Sequence, residues 1–412
     1  MDPVTLALIL SGAIIVIGFL GNYVFERTGF PDMLILIILG ILLGPITNVV
    51  NAGSIMGLAP YLAALALVFI LFDGGMAMNI YRVFSESPRA VVLAVAGFTF
   101  SVFAITLVLI VARPDIPLLY CVLFGTMFGG SSSIIVFSMA SKIGLNEKCS
   151  TVLSLESAIT DIFCIVFSLV VIEIILKGTV DLMSVSQSIA SRFSTGIVLG
   201  FVFGLIWLTI LRKVAIASYA YMLTLAVVLL AYAFTEFLGG SGALCSLLFG
   251  IVLGNEKEIY RILKMERTQS VVVDAGLKKF ESEIAFLLRT FFFVYIGLIV
   301  TISDFTTIII GIILSLALLL TRFGAVTIAT KGSSELACER PIMSVLLTRG
   351  LAAAVLATLP MQYADTTSYP EAGPIFQALG PLYINLAVII ILTTAIIATV
   401  GIPLFRQKKG LQ

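Results

Sequence analysis

Two carboxylates lie inside a long apolar segment, residues 155–172, which reads LESAITDIFCIVFSLVVI. They are Glu156 and Asp161, and the hydroxyl side chains of Ser157 and Thr160 stand beside them. A charge in hydrocarbon costs several kcal/mol, so such residues usually serve an ion pathway, a proton relay or an ion pair. This segment is therefore where the chain can bind a cation or a proton.

The chain contains no histidine, which excludes Ser-His catalysis, histidine-liganded zinc and histidine proton relays. No serine has a lysine at mid-membrane depth as a base, because every lysine falls in a predicted loop. Any proton that the chain moves must therefore be carried by a carboxylate. The five cysteines have irregular spacings without a metal motif. We expect no enzymatic activity, no cofactor and no nucleic-acid partner.

The composition predicts an all-α polytopic membrane protein. Of 412 residues, 60% are hydrophobic and 11% are charged, whereas a soluble domain carries roughly 25% charged residues. A membrane span needs about 20 apolar residues. Thirteen segments are candidates: residues 4–25, 33–50, 57–77, 88–112, 116–141, 148–176, 187–211, 218–238, 241–254, 282–302, 306–329, 342–360 and 381–405.

The basic residues of the predicted loops give the orientation. Eighteen of the 24 Lys and Arg residues fall on one side of the membrane and three on the other, and the last three lie within spans. The three within spans are Arg289, Arg322 and Arg349. Cytoplasmic loops carry the excess of Lys and Arg. We therefore predict a multi-pass protein of the cell membrane with its N-terminus outside and its C-terminus in the cytoplasm.

Two of the predicted spans are interrupted at mid-membrane. The fifth contains FGGSSSII at residues 128–135, and the twelfth contains LTRGL at residues 347–351. The two spans run in opposite directions, as expected for inverted repeats, here residues 1–176 and 216–412 joined by a linking helix in 177–215. Interrupted helices in matching positions of two halves indicate the binding site of a transporter.

The residue types at these breaks suit a cation. The hydroxyls of Ser131, Ser132 and Ser133, with open backbone carbonyls, offer oxygen ligands, and Arg349 would balance the facing helix ends. The alternative for the serines is close packing of small residues between helices. We favour the cation site because three adjacent hydroxyls exceed what packing requires.

Depth and helical phase separate the two acids. At about 1.5 Å per residue, Glu156 lies about 12 Å and Asp161 about 20 Å from the cytoplasmic end of the span. Ser157 and Asp161 are i,i+4 neighbours on one face, whereas Glu156 and Thr160 share another. The phase predicts that Asp161 lines a site with Ser157 while Glu156 faces elsewhere.

The arginines within spans offer Glu156 a partner. Arg289, Arg322 and Arg349 all match its depth, so depth alone does not choose among them. We expect Glu156 to form an ion pair that joins two helices, in preference to direct ion ligation.

Asp161 is then the acid that exchanges ions. Burial disfavours the charged form of a carboxyl, so near neutral pH it can hold either a proton or a monovalent cation. That competition is sufficient for exchange. Asp73, which ends the third span, is a weaker candidate for the site, and its alternative role is that of a polar residue at a helix end.

The chain resembles the monovalent cation/proton antiporters of the NhaP and NHE kind, the first cation:proton antiporter family, over essentially its whole length. The resemblance rests on six motifs taken together: LFDGG (71–75), GGSSS (129–133), ESAITD (156–161), RTFFFVYIGL (289–298), LLLTRFG (318–324) and LTRGLAA (347–353).

The resemblance implies a fold and an assembly. It implies the sodium/proton antiporter fold, with thirteen helices in two inverted repeats and two broken, crossing helices. A core domain, from helices 4–6 and 11–13, would move against a dimerisation domain formed by the remaining helices. The protein would be a homodimer in the lipid bilayer.

The resemblance also assigns roles. Asp161 matches the carboxylate that binds the ion and the proton, Ser157 a side-chain ligand, and Thr160 the position of a usual Asn. Glu156 matches the acid that pairs with the arginine of the eleventh span, which is Arg322 here. The arginine of the broken twelfth helix is Arg349.

One departure from the family leaves the transported ion open. The family often carries Thr-Asp-Pro where this chain has Ser131, Ser132 and Ser133, so one acidic ligand is missing. We expect exchange of sodium, or lithium, for protons by alternating access, with sodium at Asp161. A single titrating acid predicts electroneutral exchange. The alternatives are potassium/proton exchange and a cation-coupled solute symporter; a channel would need a continuous polar pore, which the spans do not offer.

Overall fold

The computed structural model describes residues 2–50, 59–78, 80–132, 135–136, 139, 143–178, 182–214, 219–262, 273–301 and 304–409. Within these residues every element of secondary structure is a helix. Seven helices precede residue 215: α1 (Pro3–Thr28), α2 (Asp32–Ile41, continued by a π-helical turn at Leu42–Ile46), α3 (Ala59–Ala77), α4 (Ile80–Ala112), α5 (Leu118–Met127), α6 (Glu147–Lys177) and α7 (Leu182–Val214).

Eight helices follow: α8 (Ala220–Phe237), α9 (Gly242–Gly254), α10 (Glu256–Ile262), α11 (Ala275–Ile299), α12 (Phe305–Ala329), α13 (Ser334–Val345), α14 (Leu351–Gln362) and α15 (Gly373–Lys409). Side chains and glycines fix several ends. Asn146 caps α6 by accepting a hydrogen bond from the backbone N–H of Lys148 at 3.2 Å. Gly178, with φ 67°, ends the same helix in the left-handed conformation that glycine adopts without strain.

The helices have the length and apolar surface of a membrane protein. In the described part of the chain, eight helices are long and apolar enough to cross a membrane, and five shorter apolar helices accompany them. Val4, Leu8 and Phe19 of α1 are 66%, 70% and 63% exposed, as suits a helix whose surroundings are lipid. The predicted all-α polytopic architecture is confirmed, and the number of crossings stays a prediction.

Both predicted interruptions are present. Helix α5 ends at Met127, and residues 128–132, here called the first break, are not helical. Helix α13 ends at Val345 and α14 begins at Leu351, so residues 346–350 form the second break. Ser133, the third predicted serine ligand, lies outside the described residues.

Several helix boundaries differ from the sequence prediction, and the start of α11 shows one reason. The hydropathy pattern predicts a tenth span over residues 282–302, whereas α11 begins seven residues earlier, at Ala275. Its first turns contain Lys278, Lys279 and Glu281. Charged residues end an apolar run without ending a helix, since Lys and Glu are good helix formers.

The chain divides into two compact units, each described here by itself. The first comprises Met1–Ala63, Pro88–Thr179 and Thr290–Gln412 and contains both breaks. In it, α5 and α14 pack against α6, and α12, α13 and α14 pack against α15. The second comprises Ala64–Ser87 and Val180–Arg289, where α7 and α8 pack against α9. The division into inverted repeats, and into core and dimerisation domains, stays a prediction.

Candidate ion-binding site

The two breaks lie against each other in the first unit. The backbone N–H of Ser132 donates to the carbonyl oxygen of Thr348 at 2.7 Å, which joins one interrupted helix to the other. Gly350 permits this approach, because a Cβ atom there would lie 2.5 Å from the Cβ atom of Ser132. The backbone groups that the breaks release from helical hydrogen bonding are thus partly satisfied by each other.

Helix α6 runs beside the first break and holds it through Ser131. The Ser131 hydroxyl lies 3.1 Å from both carboxylate oxygens of Glu156 and 3.0 Å from the hydroxyl of Ser157. Its backbone N–H donates to the Thr160 hydroxyl at 3.2 Å, and Thr160 donates its own proton to the carbonyl of Ser157 at 3.0 Å. Ser131 and Ser157 therefore present two adjacent hydroxyls, while Thr160 anchors the break.

Glu156 and Arg322 form a buried ion pair. The two terminal nitrogens of the Arg322 guanidinium, Nη1 and Nη2, donate to the two carboxylate oxygens of Glu156 at 2.8 and 3.0 Å. Glu156 is 1% and Arg322 6% exposed. The Arg322 Nε atom also donates to the carbonyl of Met343 at 3.3 Å, which links α12 to α13. This paired, two-point geometry is what makes two charges tolerable away from water.

Arg349 lies in the second break and reaches the first. Its Nη1 atom donates to the carbonyl oxygen of Gly130, and its Nη2 atom lies 3.4 Å from the hydroxyl of Ser101 on α4. Its backbone N–H donates to the hydroxyl of Thr394 on α15 at 3.2 Å. The positive charge of the Arg349 guanidinium thus lies just beyond the C-terminal end of α5, where the helix dipole favours positive charge.

Asp161 lies one turn beyond Ser157 on α6 and is 9% exposed. It interacts electrostatically with Arg349 and with Cys164, whose sulfur lies against the backbone of Gly130. The site therefore combines one carboxylate, the hydroxyls of Ser131 and Ser157, and a nearby positive charge. Oxygen ligands with a single acid can hold a monovalent cation or, on the carboxyl, a proton.

The structure corrects one prediction about Glu156. Helical phase predicts that it faces away from Ser157, yet the hydroxyl of Ser131 contacts both side chains. Adjacent residues of a helix lie about 100° apart, and a side chain from a neighbouring non-helical segment can reach both. The prediction that Glu156 faces elsewhere is therefore wrong. Of the three arginines at equal depth, Arg322 contacts Glu156, as the resemblance implies.

Asp73 and Arg289 belong to the second unit. Asp73 accepts a hydrogen bond from Ser282 and interacts electrostatically with Arg289 and Glu281. The guanidinium carbon of Arg289 lies 5.8 Å from the ring centroid of Phe286. Asp73, Glu281 and Arg289 therefore lie in the second unit, whereas Asp161 lies in the first.

Sequence reasoning missed the side chains that support Arg349 and the first break. Ser101, Thr394 and Cys164 are small residues within apolar helices. Such residues are common in membrane helices for packing alone, so nothing in the sequence distinguishes these three. Glu281 was also missed, because it stands at the charged start of α11 among residues that appear solvated.

Comparison with known proteins agrees with the resemblance found in the sequence. Residues 12–408 match the family described as sodium/hydrogen exchanger, transmembrane. The K(+)/H(+) antiporter NhaP2 of Shewanella baltica (strain OS223) is 29% identical over 386 residues, covering 90% of this chain and 61% of that protein. The protein of the same description from Shewanella sp. (strain ANA-3) is 31% identical over 264 residues, covering 62% of this chain and 45% of that protein. The chain thus spans 45% and 61% of the length of these curated relatives.

A solved structure shares the fold. The sodium proton antiporter MjNhaP1 from Methanocaldococcus jannaschii aligns over 98% of this chain and 99% of its own, with a TM-score of 0.80 and 22% sequence identity. At that identity the likeness concerns the fold alone. It confirms the predicted fold class, an all-helical membrane protein with the architecture of that antiporter.

Proposed function

Because the chain belongs to the sodium/hydrogen exchanger family, we propose that it is a secondary active antiporter that exchanges a monovalent cation for protons. It works by alternating access across the cell membrane. Asp161 holds the proton and the cation in turn. The observation that carries the proposal is the position of this buried acid on α6, one turn from Ser157, whose hydroxyl lies 3.0 Å from that of Ser131 in the first break.

The other site residues have supporting roles in this proposal. The hydroxyls of Ser131 and Ser157 are the first candidate ligands for the cation. Ser132 and Ser133, which follow Ser131 in the sequence, are further candidates. Thr160 holds the first break against α6, because its hydroxyl oxygen accepts a hydrogen bond from the backbone N–H of Ser131. Its own proton is donated to the backbone carbonyl of Ser157. Arg349 balances the charge of the facing helix ends. Transport needs no cofactor and no covalent chemistry.

Sodium, with lithium as a close substitute, is the first candidate cation. Potassium is the second, and two observations favour it. The Shewanella relatives are described as K(+)/H(+) antiporters, and this chain has serines where the family often has an acidic ligand. A site with one carboxylate suits the ion that loses its water more easily.

The proposal includes the setting of the protein. The N-terminus is outside and the C-terminus is cytoplasmic, as the Lys and Arg distribution predicts, and the working form is a homodimer. With one titrating acid, the exchange is one cation for one proton and hence electroneutral. In proteoliposomes with equal ion gradients, an inside-negative potential should drive no uptake; uptake under those conditions would contradict electroneutrality.

Proton flux in everted vesicles tests the proposal. Addition of sodium, lithium or potassium in turn should dissipate a pre-formed pH gradient, and Asp161→Asn should abolish the response. Glu173→Gln is the matched control, because Glu173 is an acid of the same helix that pairs with Lys177 at 2.6 Å outside the site. Normal exchange by Asp161→Asn, or no response of the parent protein to any of the cations, would overturn the proposal.

A further inference from the structure

A row of oxygen atoms leads from the buried ion pair to the candidate ion site. The carboxylate of Glu156 lies 3.1 Å from the hydroxyl oxygen of Ser131, which lies 3.0 Å from that of Ser157. The Ser157 hydroxyl lies in turn 2.8 Å from the carbonyl oxygen of Leu153. The row contains three oxygen–oxygen contacts, and each is favourable only with a proton between its two atoms.

Two protons are available for these three contacts. Each serine hydroxyl carries one proton, whereas an ionised carboxylate and a carbonyl oxygen carry none. Glu156 is an acceptor here, because Arg322 donates to both of its oxygens. One contact of the three is therefore always without a proton.

Glu156 decides where the proton of Ser131 points. A lone pair turned towards a buried carboxylate is repelled, whereas a proton between the two oxygens makes a charge-assisted hydrogen bond. The Ser131 proton therefore lies towards Glu156, and Ser131 presents only lone pairs to Ser157. The proton of Ser157 can then lie towards either Ser131 or the carbonyl of Leu153.

We propose that Ser131 couples the Glu156–Arg322 pair to the transported cation. Without a cation, Ser157 donates to Ser131. With a cation bound, Ser157 turns its proton to the Leu153 carbonyl, and two hydroxyl oxygens 3.0 Å apart direct their lone pairs at the ion. This inference rests on the proposed function. It makes Glu156 a positioning residue, which acts on cation affinity through Ser131 without touching the ion.

The coupling has a direction that can be measured. A hydroxyl that donates to a carboxylate is polarised, which makes its oxygen a better ligand. If the acid no longer holds the Ser131 proton, that proton can turn towards Ser157 and the ion. The affinity for the cation then falls, while Asp161 and its proton are unaffected.

A double-mutant cycle on the KM for the cation in proteoliposomes tests the coupling. Glu156→Asp keeps the charge but withdraws the carboxylate from Ser131 by one methylene. We expect it to raise the KM about tenfold, as for loss of one charge-assisted hydrogen bond, with kcat at saturating cation unchanged. In a Ser131→Ala background the same substitution should change the KM less than about twofold. A Ser131→Thr background, which keeps the hydroxyl, should restore the tenfold effect.

The controls separate this inference from the proposed function. Ser168→Ala removes another buried hydroxyl of α6, one that lies 3.0 Å from the hydroxyl of Thr126, and should leave the KM unchanged. Glu156→Gln is a second variant for the same cycle. Cation-dependent thermal stabilisation in detergent reports the affinity without transport. Equal KM shifts for Glu156→Asp in the parent and in the Ser131→Ala background, or no shift in the parent, would overturn the coupling. No exchange by the parent protein would overturn the function itself.

Discussion

The backbone N–H of Ser132 donates to the carbonyl oxygen of Thr348 at 2.7 Å, so each broken helix satisfies a backbone group of the other. An unsatisfied backbone group within a membrane costs several kcal/mol. The two breaks are therefore stable together at the point where they meet. The ion site depends on this contact, because Ser131 precedes one partner and Arg349 follows the other.

Gly350→Ala should disrupt the crossing. The added Cβ atom would lie 2.5 Å from the Cβ atom of Ser132, too close for any real contact. We expect loss of exchange and a fall of about 1–3 kcal/mol in the free energy of unfolding, the range seen for overpacking. Thermal unfolding in detergent and vesicle flux measure the two effects.

Gly324→Ala is the control for this prediction. Among the described residues, a Cβ atom at Gly324 on α12 would meet only the ring of Phe100, at 3.8 Å, which is ordinary van der Waals contact. This variant should keep its stability and its exchange. A Gly350→Ala protein that behaves like Gly324→Ala would show that the breaks can separate without loss of function.

The Glu156–Arg322 pair should contribute strongly to stability. Arg322→Met leaves a carboxylate that is 1% exposed without its two guanidinium donors. Removal of one partner of a buried pair costs about 3–5 kcal/mol, so the yield and the thermal stability should both fall. Glu173→Gln, which removes a partly exposed pair on the same helix, should change the free energy of unfolding by less than about 1 kcal/mol. Equal effects of the two variants would contradict this assignment.

The sequence was sufficient for features that depend on one helix at a time. An acid within an apolar helix, such as Asp161, is conspicuous because hydrocarbon penalises it. Glycines and serines at mid-span predict the two breaks, because they weaken a helix where water cannot repair the backbone. The structure has helix ends at Met127 and Val345, next to those residues.

Features that depend on two segments meeting do not follow from the residues of one helix. Three arginines match Glu156 in depth, so the choice of Arg322, which the structure confirms, comes from the family resemblance alone. Ser131 belongs to a segment without helical periodicity, so no phase argument gives its direction. Its contact with both Glu156 and Ser157 follows from three-dimensional placement alone.

Glu281→Leu should raise stability. Both carboxylate oxygens of Glu281 lack a hydrogen-bond partner among the described residues, the side chain is 1% exposed, and Asp73 adds a like charge nearby. A buried polar group without partners costs about 1–3 kcal/mol, so an apolar side chain should raise the free energy of unfolding by a similar amount. Thermal unfolding in detergent measures it.

Glu283→Leu serves as the matched control. Glu283 lies two residues further along α11, its side chain is 64% exposed, and it forms an ion pair with Lys279 at 3.8 Å. Its replacement should change the free energy of unfolding by less than about 0.5 kcal/mol. A lower midpoint for Glu281→Leu would mean that the Glu281 carboxylate stabilises the second unit.

The cysteines provide a test of the orientation. Cys338 on α13 is exposed, whereas Cys121, Cys149, Cys164 and Cys245 are buried. The excess of Lys and Arg predicts that the loop before α13 faces the cytoplasm. A membrane-impermeant maleimide should therefore label everted vesicles but not right-side-out ones, and Cys338→Ser should remove the label. If right-side-out vesicles are labelled and Cys338→Ser abolishes that labelling, the predicted orientation is reversed and the N-terminus lies inside.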